Sequence, residues 1–96
     1  MLILVTYDVS LIDTGGQKRL RRVAKICQNY GVRVQNSVFE CVVDETQFVL
    51  LRDKLRNEIE PKKDSLRFYR LGNNYKDKVE HYGVKREISV DEPLIL

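Results

Sequence analysis

Asp8 is the residue whose chemistry needs explaining, because it ends the apolar run Met1-Leu2-Ile3-Leu4-Val5-Thr6-Tyr7 just before a glycine-bearing loop and a basic helix. A carboxylate at the end of a buried strand loses hydration unless a cation, hydrogen bonds or water compensate it. Metal or phosphate chemistry is therefore one expectation. The other is a solvated strand end that only terminates pairing. The second feature is positive charge of one sign. Between Thr14 and Phe39 stand six basic residues, Lys18, Arg19, Arg21, Arg22, Lys25 and Arg33, and no acid, leaving 11 basic against 14 acidic residues elsewhere. A local patch of this kind attracts a phosphate backbone, although a basic helix can equally be a solvated face.

These residues need elements to position them, and hydrophobic periodicity supplies a set. Residues 1 to 9 read as a strand, and Thr14-Gly15-Gly16-Gln17 has the spacing of a capping box, with Thr14 as N-cap and Gln17 three residues on. In the helix that follows, Leu20, Val23, Ala24, Cys27 and Tyr30 form the buried stripe, and Gly31 is placed to close it in the left-handed conformation. Strands at 32–35 and 37–43 flank a tight reversal at Asn36. Asp44 and Gln47 repeat the capping spacing before a second helix whose face is Phe48, Leu51, Leu55 and Ile59 and which Pro61 ends. A strand over 65–71 completes the order β-α-β-β-α-β.

That order is the ferredoxin-like α+β sandwich, two helices on one face of an antiparallel sheet. The other face is expected to be bare. Leu66, Phe68, Tyr69 and Leu71 occupy both parities of the last strand, so that face is expected to be partly apolar and to meet another subunit. The core is residues 1–71. Residues 72–96 form a C-terminal extension in which 79–82 can add a strand, and its apolar end, Leu94-Ile95-Leu96, is expected to pack on the sheet or at the dimer interface.

Composition bounds the class. At 96 residues, 43% hydrophobic and 32% charged, the chain fits one domain with a modest core that gains by dimerising. No apolar run reaches the roughly 20 residues that span a bilayer, and the opening strand lacks the features of a secretory signal, so no membrane association and a cytoplasmic location are expected. Cys27 and Cys41 form no CxxC pair and are expected to be buried small hydrophobes, not zinc ligands or a disulfide.

Tyr7-Asp8-Val9 closing the first strand and Gly31-Val32-Arg33-Val34-Gln35-Asn36-Ser37-Val38-Phe39-Glu40 entering the hairpin resemble the small CRISPR-associated nuclease subunit that partners the integrase in spacer acquisition. The resemblance covers residues 1–71, and its hairpin stretch is the specific part. It implies a ferredoxin-like homodimer in which Asp8 is the catalytic residue, with Mg²⁺ or Mn²⁺ shared between the two copies of Asp8. One carboxylate alone cannot hold Mg²⁺ in a useful geometry, whereas a two-fold axis beside Asp8 supplies two and leaves room for water and phosphate. The implied reaction is phosphodiester hydrolysis in RNA or DNA, with no evident general base.

The resemblance places Arg19 and Arg33 near the nucleic-acid path, whereas Lys18, Arg21 and Arg22, on the opposite arc of the helix with Lys25, join a sequence-independent binding set on their charge alone. Arg19 borders the apolar stripe and either points toward the cleft or snorkels along the core edge. Ser37 and Phe39 either contact substrate or support the Asp8 site, and Phe39 has core and dimer-interface readings as well. Tyr7, opposite in parity to Asp8, is expected to pack under the helices. His81 is expected to be a surface or packing residue. A non-catalytic dimeric scaffold that holds DNA between integrase subunits and a ferredoxin-like toxin ribonuclease stand as alternatives.

Overall fold

The computed structural model describes residues 1–9, 15–71 and 79–84. Its elements are β1 (Leu2–Asp8), α1 (Gly16–Gln28), β2 (Gly31–Gln35), β3 (Val38–Val42), α2 (Glu45–Glu58), β4 (Ser65–Leu71) and β5 (Val79–Gly83). The strands form one antiparallel sheet in the order β2-β3-β1-β4-β5. The first four give the ferredoxin-like order, with β3 inserted between β1 and β2, and β5 extends the sheet beyond β4.

Strand parity decides which face is the core. Ile3, Val5 and Tyr7 point to the helices, and their register partners Cys41, Phe39, Phe68 and Leu66 point the same way. All of them are buried, together with Val23, Ala24 and Cys27 of α1 and Phe48, Leu51 and Leu55 of α2. Phe68 stands edge-on between Phe48 and Tyr82, with ring centroids 5.6 and 6.0 Å away. Both cysteines are free and buried, as their lack of partners in sequence implies. Among the described residues, no helix is long and apolar enough to cross a membrane.

The second helix starts where the sequence places it. The Asp44 carboxylate accepts the Gln47 N–H at 2.7 Å, and the Gln47 side chain accepts the Asp44 N–H at 2.9 Å. The first helix differs. Its N-cap is Gly15, which has no side chain to cap with, and the expected cap Thr14 lies outside the described residues.

Gly31 does not close α1 in the left-handed conformation. The helix ends at Asn29 in the right-handed region, and Gly31 opens β2. Glycine is required there for another reason, since a Cβ would lie 1.9 Å from the Glu40 carbonyl oxygen and 2.6 Å from Cys41 Cα. Both clashing atoms are backbone, so relief means moving β3. Gly31→Ala is expected to cost about 2 kcal/mol or more, read as a lower urea midpoint at unchanged m-value.

The far face of the sheet is not bare throughout. Leu4 and Tyr69, paired in register, are buried on it. Exposed apolar residues remain on it, Val42 (71% exposed) and Leu71 (37%) at the end where both pair with Leu2, and Val32 further along on edge strand β2. Asp8 lies at the opposite end of β1. The expectations for Leu94-Ile95-Leu96, and for the extension apart from β5 and Val84, lie outside the described residues.

Candidate active site

Asp8 is the last residue of the central strand, exposed, and on the face away from the helices. It pairs with Ser65 of β4. By the same register Thr6, Arg67 and His81 form the next row on that face. Arg67 Nε donates to His81 Nδ1 at 3.0 Å, and His81 Nε2 lies 2.9 Å from the Val84 carbonyl oxygen. The His81 ring therefore carries its hydrogen on Nε2. Nothing in the sequence joined Arg67 or His81 to Asp8, because only the strand register brings them to one face.

Among the described residues, a single chain offers one acid here. Among the described residues no three His, Cys, Asp or Glu side chains gather as a metal-holding group. An exposed carboxylate nevertheless suits Mg²⁺, which keeps several waters and takes one or two carboxylates with substrate oxygens. The donor set fits a hard divalent cation once a second carboxylate is supplied.

Behind Asp8, on the helix side, lies a buried polar hub. The Asp64 carboxylate is fully buried and accepts four hydrogen bonds: from the Tyr7 hydroxyl, from Arg19 Nε at 2.8 Å, from Arg19 NH2 at 3.0 Å and from the Glu60 N–H at 2.9 Å. Burial alone would raise its pKa. The Arg19 hydrogen bonds, the Glu60 N–H, the Tyr7 hydroxyl and the Arg19 charge together outweigh that and hold it below the ordinary aspartate value. The Tyr7 hydroxyl is pushed well above its ordinary value, first by burial and then by the Asp64 carboxylate that accepts its proton.

Arg19 is part of this hub. Its guanidinium grips Asp64 as a fork, and its side chain is 16% exposed. Tyr7 packs under the helices as its parity requires. Asp64 was missed from sequence. Its only signal there is an acid directly before a buried strand.

Lys18, Arg21, Arg22 and Lys25 are all exposed on α1. Because Arg19 reaches Asp64 and Tyr7, the first turns of α1 stand at the Asp8 end of the molecule, but on the opposite side of the sheet. Arg33, on edge strand β2, is exposed. It donates from Nε to the Asn36 carbonyl at 2.8 Å and from NH2 to Asn36 Oδ1 at 3.2 Å, with its guanidinium carbon 5.6 Å from the Phe39 ring centroid. It thus braces the β2–β3 turn. In that turn the Ser37 carbonyl accepts the Tyr7 N–H at 2.9 Å, which ties the turn to the residue beside Asp8.

Phe39 corrects the substrate-contact expectation. It is 0% exposed, pairs with Val5 and faces the helices, so it supports the site only as core.

The family model for CRISPR associated protein Cas2 matches residues 1–79. A CRISPR-associated endonuclease Cas2 of Halalkalibacterium halodurans is 63% identical over 99% of both chains. A CRISPR-associated endoribonuclease Cas2 of Nitratidesulfovibrio vulgaris is 57% identical, covering all of this chain and 94% of the relative. The crystal structure of Streptococcus pyogenes Cas2 at pH 6.5 superposes with a TM-score of 0.72 at 53% identity, covering 86% of this chain and all of that one. A hypothetical protein from Thermus thermophilus gives 0.60 at 30% identity, covering 93% of this chain and 87% of that one. Matching along nearly its whole length in sequence and in sheet architecture, this chain belongs to the CRISPR-associated Cas2 family.

Proposed function

We propose that the chain is a divalent-metal-dependent endonuclease that hydrolyses phosphodiester bonds in RNA or DNA, acting in the cytoplasm as a homodimer with the integrase subunit in CRISPR spacer acquisition. The observation that carries the reading is Asp8: an exposed carboxylate at the end of the central strand, backed by an ordered hub, in a chain whose relatives are named as nucleases. Asp8 from each copy would hold Mg²⁺ or Mn²⁺, which supplies Lewis-acid polarisation of the phosphoryl oxygen and an activated water. The rest of the work falls to the protein. Tyr7 and Ser65 fix where Asp8 stands, the buried hub keeps the strand end in place, and exposed cations hold the phosphate backbone.

Cleavage of RNA, single-stranded DNA and duplex DNA by the purified chain, with and without Mg²⁺ and chelator, tests this reading. Metal-dependent cleavage of at least one substrate is expected; none on any of the three would overturn it.

A scaffold role is the second reading, favoured by the placement of the exposed α1 cations on the side of the sheet away from Asp8. With Arg19 engaged by Asp64, the phosphate-binding set is Lys18, Arg21, Arg22 and Arg33. Replacing Lys18, Arg21 and Arg22 together by Ala is expected to weaken binding to all sequences alike. It should also flatten the dependence of log K on log salt by about 0.7 to 0.9 per lost contact. An unchanged slope in fluorescence-anisotropy titrations would remove α1 from the interface.

A further inference from the structure

We propose that the Tyr7–Asp64–Arg19 hub is a positioning device for Asp8, and that Asp64 and Tyr7 are positioning residues of the nuclease site in addition to their part in the fold's stability; this rests on the assignment of Asp8 above. The starting point is a cost without an evident return. An ionised carboxylate is fully buried, and a pair of apolar residues would fill the same volume with no desolvation penalty. What the charged pair adds is geometry, since its hydrogen bonds have fixed directions that apolar packing lacks.

Those directions converge on one place. Tyr7 immediately precedes Asp8, and its hydroxyl donates into Asp64. Asp64 immediately precedes Ser65, the register partner of Asp8. The hub therefore binds the residue before Asp8 to the residue before Asp8's cross-strand partner. Arg19 adds the first turns of α1 to the same carboxylate, and the Glu60 N–H adds the loop that leaves α2. The Asp64 main chain takes in the end of β5 as well, through the Val84 N–H, which donates to the Asp64 carbonyl at 2.7 Å.

Asp8 needs such a clamp because it is the last residue of its strand. Terminal strand residues open easily, and a carboxylate meant to share a cation with another copy cannot tolerate a strand end that wanders by an ångström. On its other flank the Tyr7 N–H is held by the Ser37 carbonyl, in the turn that Arg33 braces. Tyr7 is thus fixed by main chain toward β3 and by side chain toward Asp64. Asp8 itself stays exposed on the opposite face.

The test uses the full chain with Tyr7→Phe, which removes only the hydroxyl, and Asp64→Asn, which keeps the shape and loses the charge, under conditions where each is folded by circular dichroism. Amide hydrogen exchange is read at residues 7–9 and at 3–5, and Mn²⁺ binding is titrated directly against wild type and Asp8→Ala. We expect Tyr7→Phe to speed exchange about tenfold at 7–9 while leaving 3–5 unchanged, and to weaken Mn²⁺ binding about tenfold, the scale seen when a partner orienting a metal ligand is removed. Asp64→Asn should do the same or more.

A hub that did nothing but stabilise the whole fold would instead raise exchange evenly along β1, with no excess at 7–9, and that result overturns the proposal. So does local loosening with Mn²⁺ affinity intact where Asp8→Ala abolishes binding. If Asp8→Ala binds Mn²⁺ as wild type does, the metal assignment of Asp8 fails. The positioning claim is then decided by exchange alone, standing if 7–9 loosen selectively and falling if they do not.

Discussion

Asp8→Ala is expected to lower metal-dependent cleavage at least a hundredfold while leaving the protein folded and dimeric. A hundredfold corresponds to about 2.7 kcal/mol of transition-state stabilisation, within the several kcal/mol that a polarising cation contributes. In a two-fold dimer one substitution removes both carboxylates, so no second acid remains to hold the cation. Stability should hold or rise, because Asp8 is exposed and its loss relieves like charge across the axis. Asp8→Asn should be equally inactive, since an amide keeps the shape and one oxygen but not the charge. The measurement is cleavage rate against Mg²⁺ concentration, with chelator sensitivity of the wild type shown on the same preparation and dimerisation read by light scattering. Undiminished turnover by Asp8→Ala would end the catalytic assignment and leave the scaffold reading.

How far the sequence predicts this arrangement depends on how local each cause is. The Asp44–Gln47 capping box is legible because donor and acceptor lie three residues apart and need no tertiary information. Strand parity is equally local, and it puts Tyr7 under the helices and Asp8 on the other face. The hub is different. Arg19 and Asp64 are 45 residues apart and Tyr7 and Asp64 are 57 apart, so their bonding depends on how β4 and α1 dock against β1.

Gly31 shows a related limit. A glycine after a helix suggests a left-handed cap, but its actual requirement is the close approach of the Glu40 carbonyl across the β2–β3 ladder, which no local pattern encodes. Phe39 was ambiguous because an aromatic in a hairpin suits core, interface or substrate. Its register with Val5 decides for core.

The largest effect on stability is expected at Asp64. Asp64→Ala takes the counter-charge from half-buried Arg19 and the acceptor from the Tyr7 hydroxyl and the Glu60 N–H, and breaking a buried pair from one side typically costs about 3 to 5 kcal/mol. Arg19→Ala should cost a similar amount by stranding the carboxylate. Arg19→Lys should not rescue it, since an ammonium cannot reproduce the fork that reaches both Asp64 oxygens.

The pH dependence has a definite sign. Asp64 is held below its ordinary value of 3.8 in the folded state, so the unfolded chain binds its proton first as pH falls. Its contribution is fully present above that value and is lost as pH drops through the lower folded one. Tyr7 acts at the other extreme. Its hydroxyl is raised in the folded state, so the stability it contributes is present below its ordinary value of 10.0 and declines above it.

Urea unfolding midpoints from pH 2 to 7 should therefore fall more steeply below about pH 4 for wild type than for Asp64→Asn, whose amide does not titrate. Parallel acid limbs for the two proteins would mean that Asp64 binds its proton equally in the folded and unfolded chain, and the stabilising ion pair with Arg19 would have to be withdrawn.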